Sequence, residues 1–407
     1  MADPILLTTS PLLDVEVGTW ATDRRLLVGD DGRIQAILGP GDATPANARP
    51  ADLPAGWTVP GLIDCHSHLV GDLEYAGVPA ATTSAAQEAM AGVRNARSTL
   101  AAGFTTVRDV GTFRAFVDVA LRDAIDAGWT PGPRMQCAGS YVNTPGGGGY
   151  FTGIPPCTVI AEALRFGVVG RVPDVRDRVA RLVDGGATVI KLIVTGAVLT
   201  RGTDPGAIEL DASMVAAAVE AAAARGIHVA AHAHGAEGIK LAIRAGVRSI
   251  EHASLIDDEG IELLVREGTW LVADIYDGDW IAEEGARAGW PAETMAKNLA
   301  TTQAQRDGFA KAVAAGARIA FGTDSGVYPH GMNAIQFGYQ VRHGQSPLAA
   351  IRSATASAAE LLGWDDRVGS VAVGRYADLV VLPADPLGDI DVLRRPVAVV
   401  KSGVRVA

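Results

Sequence analysis

The sequence predicts an α/β fold in which a (β/α)8 TIM barrel carries a small β-sandwich domain built from the two ends of the chain. Between residues 59 and 368, eight strand-like segments alternate with helical segments, a pattern typical of a parallel sheet closed into a barrel. Short strand-like segments with turn residues between them occupy both ends of the chain. Neither end is long enough to bury a good core alone. We therefore expect residues 1–58 and 369–407 to form one composite sandwich beside the barrel of residues 59–368.

The predicted sandwich strands lie next to turn-forming residues. Residues 26–28 and 33–38 flank Gly29-Asp30-Asp31-Gly32, whose composition suits a hairpin turn. A connector rich in proline, alanine and glycine follows from residue 39 to residue 56. In the C-terminal segment, residues 371–373, 379–382 and 397–400 are strand-like. Pairing of these strands with the N-terminal ones would bring the chain ends together.

The barrel prediction depends on eight apolar segments, namely residues 62–65, 105–110, 134–138, 189–194, 228–232, 249–252, 270–275 and 318–322. Helical sequence separates them, and three helix starts carry capping signals. Asp211 is a candidate N-cap, and Ser346 followed by Pro347 places a cap and an N1 proline in order. Ser357 and Glu360 have the spacing of a capping box.

The composition narrows the classes of partner. The chain has 407 residues, of which 48% are hydrophobic and 20% charged, and its net charge is −11. Because no Lys/Arg-rich run occurs, nucleic acid and anionic membranes are poor partners, and a small-molecule substrate is expected. Three unpatterned cysteines do not indicate a disulfide framework. No secretory signal and no membrane-spanning apolar stretch are recognisable, so we expect a soluble, cytoplasmic protein.

A His-x-His motif ends the first predicted barrel strand. Side chains alternate faces along a strand, so His66 and His68 point the same way, about 7 Å apart along the backbone. Two imidazoles that project together can hold one metal ion. The alternative, a pair of hydrogen-bonded polar residues, is the more usual explanation of an isolated motif, and the rest of the chain decides between them.

The other predicted strand ends carry further metal-binding side chains. Active sites of such barrels lie at the C-terminal ends of the strands. Five of the eight histidines in the chain fall on predicted strand ends, together with a lysine and an aspartate: His66, His68, Lys191, His232, His234, His252 and Asp324. This concentration predicts a metal site at the mouth of the barrel.

Lys191 stands alone inside the apolar fourth strand. A buried lysine is costly unless it is neutralised or paired, and desolvation lowers its pKa. The neutral amine can react with carbon dioxide to give a carbamate, which could bridge two divalent cations as a carboxylate does. The alternatives are a lysine that extends to the barrel mouth or one that pairs with a carboxylate.

Taken in order, these motifs resemble those of the amidohydrolase superfamily, in its binuclear, imidazolonepropionase-like branch that includes Xaa-Pro dipeptidases and ochratoxinase-type amidases. The resemblance covers essentially the whole chain. It rests on the segments at residues 60–68, Lys191 with 195–196, 231–235, 249–252, 322–324, 330–333 and 374–379.

The resemblance implies a set of metal ligands. His66, His68 and Asp324 would hold an inner metal, His232 and His252 an outer one, and N6-carboxylated Lys191 would bind both. Such relatives typically carry zinc, and the ligands are also compatible with manganese or cobalt. Relatives are often homo-oligomers, which makes a homo-oligomer the expectation here.

Two more histidines are candidate substrate-binding residues. Spacing does not distinguish His232 from His234 as the ligand, since both face one way; the resemblance favours His232 and leaves His234 near the substrate. The alternative for His234 is to orient a ligand or cap a helix. His330, after the eighth strand, could meet a substrate group or form a loop hydrogen bond.

The loop after the third strand departs from the resemblance. Many relatives in this branch place a histidine among its glycines, whereas residues 144–149 read Thr-Pro-Gly-Gly-Gly-Gly, with Gly148 or a neighbour at that place. The missing histidine puts the usual dipeptide specificity in doubt.

Other polar and aromatic residues near strand ends have less certain roles. Asp109 could orient a ligand histidine, or it could pair with Arg108 or a loop amide. Tyr276 could line the pocket or the rim, and Trp280 and Trp290 could belong to a lid.

The chemistry expected from this constellation is metal-dependent hydrolysis of an amide or peptide-like C–N bond, of the dipeptidase or N-acyl amino acid amidase type. Two metals about 3.5–4 Å apart would share a water that becomes the nucleophile. Asp324 would accept its proton and pass it to the leaving amine. The alternatives are hydrolysis of a carbamate, urea or organophosphate ester, and a non-catalytic scaffold.

Overall fold

The computed structural model describes residues 3–9, 11–51, 53–70, 83–150, 152 and 160–407. The strands in these ranges are β1 (Ile5–Thr9), β2 (Leu12–Asp14), β3 (Thr19–Ala21), β4 (Arg24–Val28), β5 (Ile34–Leu38), β6 (Arg49–Ala51), β7 (Trp57–Pro60), β8 (Leu62–Ser67), β9 (Phe104–Asp109), β10 (Arg134–Cys137), β11 (Tyr141–Val142), β12 (Ile190–Ile193), β13 (Val229–Gly235), β14 (Ser249–Leu255), β15 (Trp270–Val272), β16 (Leu379–Leu382), β17 (Ala398–Lys401) and β18 (Val404–Arg405).

The α-helices in the same ranges are α1 (Ala85–Ala101), α2 (Val117–Asp126), α3 (Val172–Asp184), α4 (Ala212–Ala223), α5 (Ala236–Arg244), α6 (Asp258–Glu267), α7 (Asp277–Ala288), α8 (Ala292–Ala314), α9 (Ile335–Arg342), α10 (Pro347–Ser353) and α11 (Ala356–Leu362). Short 3-10 helices span Glu162–Arg165 and Ile390–Arg394. Among the described residues, no helix combines the length and apolarity that crossing a membrane requires.

The two ends of the chain share their sheets. One sheet has the order β5-β4-β1-β6 and the other the order β18-β17-β16-β7-β2-β3. The antiparallel pairing of β7 with β16 joins strands that lie on opposite sides of the barrel sequence. Leu7 and Val28 of the first sheet pack with Leu379 and Val400 of the second in one buried cluster. The division of the chain into domains at residues 58/59 and 368/369 stays a prediction.

The predicted hairpin is confirmed, because β4 and β5 pair antiparallel. The predicted strands at residues 379–382 and 397–400 are also confirmed, as β16 and β17. The predicted strand at residues 371–373 is wrong. These residues lead into a turn in which Gly374 has a φ of 89° and Arg375 N–H donates to Ala372 O at 3.1 Å.

Seven of the eight predicted barrel strands are confirmed, as β8, β9, β10, β12, β13, β14 and β15. β8, β9 and β10 form one parallel run, and β12 to β15 form another with β11 at its edge. Thr188 N–H donates to Cys137 O at 2.8 Å and so connects the two runs between β10 and β12. The seven strands therefore follow one another around the barrel in chain order.

The eighth predicted strand, residues 318–322, closes the ring without forming a regular ladder. Ile319 makes an isolated parallel bridge with Leu271, and Phe321 O accepts from Cys65 N–H at 2.8 Å. Phe321 N–H donates instead to Ser353 O, which interrupts the ladder. A side chain at Gly322 would collide with Val272 and His66, so only glycine allows this close approach.

Two of the three predicted helix caps are confirmed. Asp211 accepts from Met214 N–H at 2.9 Å, and Ser346 accepts from Ala349 N–H at 3.2 Å with Pro347 as the first helical residue. The capping box at Ser357 and Glu360 is wrong, because α11 starts at Ala356 and Ser357 lies inside it. The Glu360 carboxylate pairs with Arg318 instead.

The described cysteines agree with the absence of a disulfide framework. Cys65 and Cys137 are free, buried thiols, and burial raises the pKa of both. Cys157 lies outside the described residues.

Candidate metal centre

The seven predicted strand-end residues converge at one end of the barrel. His66 lies at the end of β8, Lys191 in β12 and His252 in β14. The Nζ atom of Lys191 lies 3.4 Å from Nε2 of His66. The ring centroid of His252 lies 4.7 Å from that of His66 and 4.6 Å from that of His232. All seven side chains are buried.

The donor atoms form groups of the size that a metal ion needs. One ligand atom each from His66, His252 and Asp324 lies within 4.8 Å of the others, and the same holds for His232, His234 and His252. Oδ1 of Asp324 lies 3.0 Å from Nε2 of His68 and 3.4 Å from Nε2 of His66. Imidazole nitrogens and a carboxylate oxygen at these separations suit zinc and related divalent ions.

Three of the histidines are oriented through Nδ1. Nδ1 of His66 donates to Glu251 Oε2 at 2.8 Å, and Nδ1 of His68 donates to Gly111 O at 2.7 Å. Nδ1 of His252 donates to Asp274 Oδ2 at 2.7 Å. Each bond fixes the tautomer and leaves Nε2 with a lone pair. A carboxylate or carbonyl on the far nitrogen is the usual support of a metal-binding histidine. The residues therefore fit a metal centre.

His232 and His234 are held differently. Nε2 of His232 lies 3.2 Å from Gly196 O, which leaves Nδ1 as its free nitrogen, whereas Nδ1 of His234 lies 2.7 Å from Ser254 Oγ. Burial lowers the pKa of His232 well below its usual range and that of His234 to about 3, with neighbouring imidazoles adding to the effect. Both rings are therefore neutral and able to coordinate a metal through nitrogen, and the choice between them stays a prediction.

Lys191 is among the largest fully buried side chains, with 1% of its surface exposed. Burial lowers its pKa to about 8, against the opposing influence of Glu251 and Asp324. No carboxylate oxygen of the described residues lies within 4.0 Å of its Nζ atom. The lysine thus neither extends into solvent nor forms a close ion pair in the described part of the chain.

Backbone strain marks the same strand ends. His252 and Ala253 have φ values of 68° and 55°, and Asp324 has a φ of 54°. Such left-handed conformations cost about 1–3 kcal/mol at a non-glycine residue and persist where the surroundings impose them. Asp324 N–H donates to His66 O at 2.8 Å, which helps to hold the carboxylate toward the histidines. Burial would raise the pKa of Asp324, but the neighbouring imidazoles of His66 and His68 lower it well below the usual range.

The buried ion pair of Arg108 and Glu251 holds His66 in position. Arg108 donates to Glu251 Oε1 at 2.8 Å, to Cys65 O at 2.6 Å and to Ser249 Oγ at 3.1 Å. Burial alone would raise the pKa of Glu251, but Arg108 and His66 lower it well below the ordinary value. Glu251 is therefore a fixed anion that connects three strands and orients one histidine.

Substituting Arg108 by methionine is expected to lower the free energy of unfolding by about 3–5 kcal/mol, since it leaves the buried Glu251 charge without its partner. Urea denaturation of the metal-free protein measures this loss. Arg266→Met, at an arginine whose side chain is 67% exposed, is the matched control and should change stability by less than about 0.5 kcal/mol. Equal losses in the two variants would contradict the role given to Arg108.

Asp274 and Asp277 bring further carboxylates to the centre. Asp274 accepts hydrogen bonds from His252 and, at 2.7 Å, from Gln305 Nε2. One carboxylate oxygen each from Asp274, Asp277 and Asp324 lies within 4.8 Å of the others. Burial and the charge of Asp274 raise the pKa of Asp277 well above its usual value. Asp277 therefore retains a proton more readily than an isolated aspartate does.

Sequence reasoning missed Arg108, Glu251 and Asp274 as parts of the site. Asp274 is a lone charged residue in the apolar segment of residues 270–275, so the criterion that singled out Lys191 would also have found it. Arg108 and Glu251 lie in segments of mixed polarity and carry no such signal. Tyr141, whose hydroxyl lies 3.3 Å from Nδ1 of His68, carries no comparable signal, because aromatic residues are common in strands.

Asp109 does not orient a histidine. Its carboxylate accepts from Leu69 N–H at 2.8 Å and from Gly111 N–H at 3.1 Å, which is the loop-amide alternative. The Gly111 carbonyl in turn accepts from His68. Asp109 therefore shapes the loop that supports His68.

His330 and Asn333 join the last loop to the first barrel strand. The His330 ring contacts Thr99 Oγ1 and His68 O, each at 3.2 Å, which favours the loop hydrogen bond over a substrate contact; the substrate role stays a prediction. Asn333 Nδ2 donates to the buried Asp64 carboxylate at 2.8 Å. The segment at residues 330–333 thus fixes the position of β8 against the loop after the eighth strand.

Aromatic and aliphatic residues from three regions of the chain form an apolar cluster. It contains Leu199 from the loop after β12, Tyr276, Trp280 and Trp290 from the region after β15, and Tyr328 and Met332 from the loop that follows Asp324. Tyr276 therefore belongs to this cluster, as do both tryptophans. Their action as a lid stays a prediction.

Comparison with known proteins agrees with the geometry. Residues 57–406 match the model of the amidohydrolase family. An ochratoxinase from Aspergillus niger is 32% identical over 366 residues, which cover 84% of this chain and 73% of that protein. A crystal structure of a Xaa-Pro dipeptidase with methionine bound in its active site is similar over 99% of both chains, with a TM-score of 0.91 and 33% identity. The A. niger ochratoxinase structure has a TM-score of 0.86 at 27% identity and covers 99% of this chain and 95% of that one.

Proposed function

This chain belongs to the amidohydrolase family, and from that premise we propose that it hydrolyses an amide or peptide-like C–N bond of a small molecule in a metal-dependent reaction. The observation that carries the proposal is the convergence of buried imidazoles, Lys191 and Asp324 at one end of the barrel. A non-catalytic scaffold would have no need of the strained, desolvated carboxylate at Asp324.

The ligands are assigned as follows. His66, His68 and Asp324 would hold one divalent cation, His232 and His252 would hold a second, and Lys191, once carboxylated on Nζ, would be a ligand to both. The short distances of Asp324 to His66 and His68 support the first group, and the burial and lowered pKa of Lys191 support its reaction with carbon dioxide. Zinc suits this donor set best, with manganese or cobalt as alternatives. When bound, such cations polarise a substrate carbonyl and lower the pKa of water.

Asp324 moves the proton. Its ionised carboxylate accepts a proton from the attacking water and returns it to the nitrogen of the leaving amine. The imidazoles of His66 and His68, which keep its pKa low, also keep it ionised before the reaction. His234, neutral and fixed by Ser254, is proposed to contact the substrate beside this carboxylate.

The substrate class follows from the relatives and from the apolar cluster around Tyr276. An ochratoxinase and a Xaa-Pro dipeptidase both match this chain over most of its length, which supports an amidase of the dipeptidase or N-acyl amino acid type. The aromatic side chains of the cluster offer a surface for an apolar group of the substrate. A cytoplasmic location and a homo-oligomeric state stay predictions.

Removal of metal tests the proposal. Prolonged dialysis against a chelator is expected to abolish hydrolysis of N-acyl amino acids and dipeptides, and added zinc should restore it. The melting temperature should fall on chelation and recover with zinc, because a ligand that binds only the folded state stabilises it. Activity that persists in protein shown by elemental analysis to be metal-free would overturn the proposed function.

A further inference from the structure

The buried carboxylate of Asp64 bonds to the two chain segments that carry His66 and Asp324. Asp64 lies in β8, two residues before His66, and its Oδ1 atom accepts from His66 N–H at 3.1 Å. The pairing register of β8 with β9 shifts between Asp64 and Ser67. A side-chain acceptor of this kind competes with the strand ladder for the backbone N–H, and the irregularity that results re-aims the side chains that follow. Asp64 therefore helps to set the direction of the His66 ring.

The same carboxylate fixes the residues on either side of Asp324. Thr323 Oγ1 donates to Asp64 Oδ2 at 2.6 Å and accepts from Ser325 N–H at 3.0 Å. Asp324, between them, has a φ of 54°, a left-handed conformation that a non-glycine residue keeps only where its surroundings impose it. The bonds of its two neighbours constrain the turn that bears the Asp324 carboxylate.

These hydrogen bonds are shielded from water. Asp64 and Ser325 have no exposed surface, and Thr323 is 1% exposed. Asn333 Nδ2 gives Asp64 Oδ2 a further donor at 2.8 Å. A buried carboxylate is tolerated only when such donors replace the water that it has lost. The segments at residues 64–66, 323–325 and 333 are therefore held together as one unit around Asp64.

We propose that Asp64 is a positioning residue, which acts through Thr323 and the backbone of His66 to hold the His66 ring and the Asp324 carboxylate in the arrangement that binds metal and transfers the proton. The inference deepens the proposed function and rests on it, since both residues that Asp64 orients are proposed metal ligands. Residues that orient metal ligands typically contribute about 10–100-fold to metal affinity or activity.

Substituting Thr323 by valine removes the hydroxyl that joins Asp64 to the Asp324 turn and keeps the shape of the side chain. For the zinc-loaded protein, kcat is expected to fall about 10–100-fold while KM changes less than about threefold, because the variant loses the orientation of Asp324 and no substrate contact. Thr323→Ser retains the hydroxyl and should keep kcat within about threefold of the wild-type value. Steady-state kinetics with L-alanyl-L-methionine and N-acetyl-L-methionine measures both variants.

Zinc affinity provides a readout that needs no turnover. Competition with a chromophoric chelator should show that Thr323→Val binds zinc about 10–100-fold more weakly than the wild type, whereas Thr323→Ser binds it as the wild type does. Thr355→Val is the matched control, since the Thr355 hydroxyl is also fully buried and bonds to Ile351 O in α10 at 2.7 Å. It should lower the melting temperature of the metal-free protein without changing the zinc affinity.

A purely structural network predicts a lower melting temperature and an unchanged zinc affinity in Thr323→Val, and that result overturns the inference. So does an equal loss of affinity in Thr323→Ser. If Thr323→Val does not fold, Asp64→Asn replaces it in the comparison, because its amide turns one accepting oxygen into a donor that faces either His66 N–H or the Thr323 and Asn333 donors. The same weakening of zinc binding is expected, and wild-type affinity overturns the inference. If zinc binding weakens as expected but the wild type cleaves no dipeptide or N-acyl amino acid, the proposed function fails and the positioning role stands.

Discussion

Replacing Asp324 with asparagine is expected to lower kcat by about 10²–10⁴-fold or more, because the amide cannot accept a proton from water or return it to the leaving amine. Asparagine is close in shape and tolerates the left-handed backbone that Asp324 adopts, so the fold should persist. Steady-state kinetics with zinc-loaded protein measures the effect. Asp365→Asn, at an exposed position, is the control and should retain full activity.

A second measurement separates proton transfer from metal loss. Elemental analysis of Asp324→Asn shows how much zinc remains, and kcat is then expressed per metal-loaded molecule. Turnover that survives both Asp324→Asn and thorough chelation would rule out the mechanism.

Substituting Lys191 by methionine is expected to abolish turnover and to remove most of the bound metal, since the variant lacks the amine that we propose as the shared ligand. The apolar side chain suits the buried position, where only 1% of the lysine is exposed. Reconstitution with ¹³C-bicarbonate and zinc should give a carbamate signal in the NMR spectrum of the wild type. That signal should be missing from Lys191→Met.

Lys401 provides a matched control for this experiment. Lys401 ends β17 and is remote in sequence from the proposed ligands. Burial lowers its pKa to about 8 as well, and its Nζ donates to Gly132 O at 2.6 Å. Lys401→Met should keep the carbamate signal and the turnover per folded molecule. Loss of the signal in Lys401→Met, or its persistence in Lys191→Met, would contradict the assignment to Lys191.

The alternation of apolar segments was sufficient to predict the barrel, and the polar residues that follow those segments were sufficient to predict which side chains meet. The eighth segment lacks a regular ladder because Phe321 bonds to Ser353, a contact between residues far apart in sequence that no local pattern shows. The capping box at Ser357 failed for a related reason, since Glu360 pairs with Arg318.

The residues that orient the proposed metal ligands were harder to predict than the ligands themselves. Glu251 and Asp274 act through His66 and His252, and that action depends on distances between strands that the sequence does not contain. The contact of Glu209 with Gly148 N–H is further still from any motif, since it joins residues 61 positions apart in the chain.

The pairing of β7 with β16 has a consequence for synthesis on the ribosome. Pro60 pairs with Leu379, and Gly61 N–H donates to Asp378 O, so the residues that lead into the strand bearing His66 are joined to residues made more than 300 positions later. The nascent chain must therefore leave β7 without its β16 neighbour until residue 382 has emerged. Exposed, unpaired strand edges of this kind favour aggregation, so a chaperone that shields residues 57–61 should raise the yield of active protein.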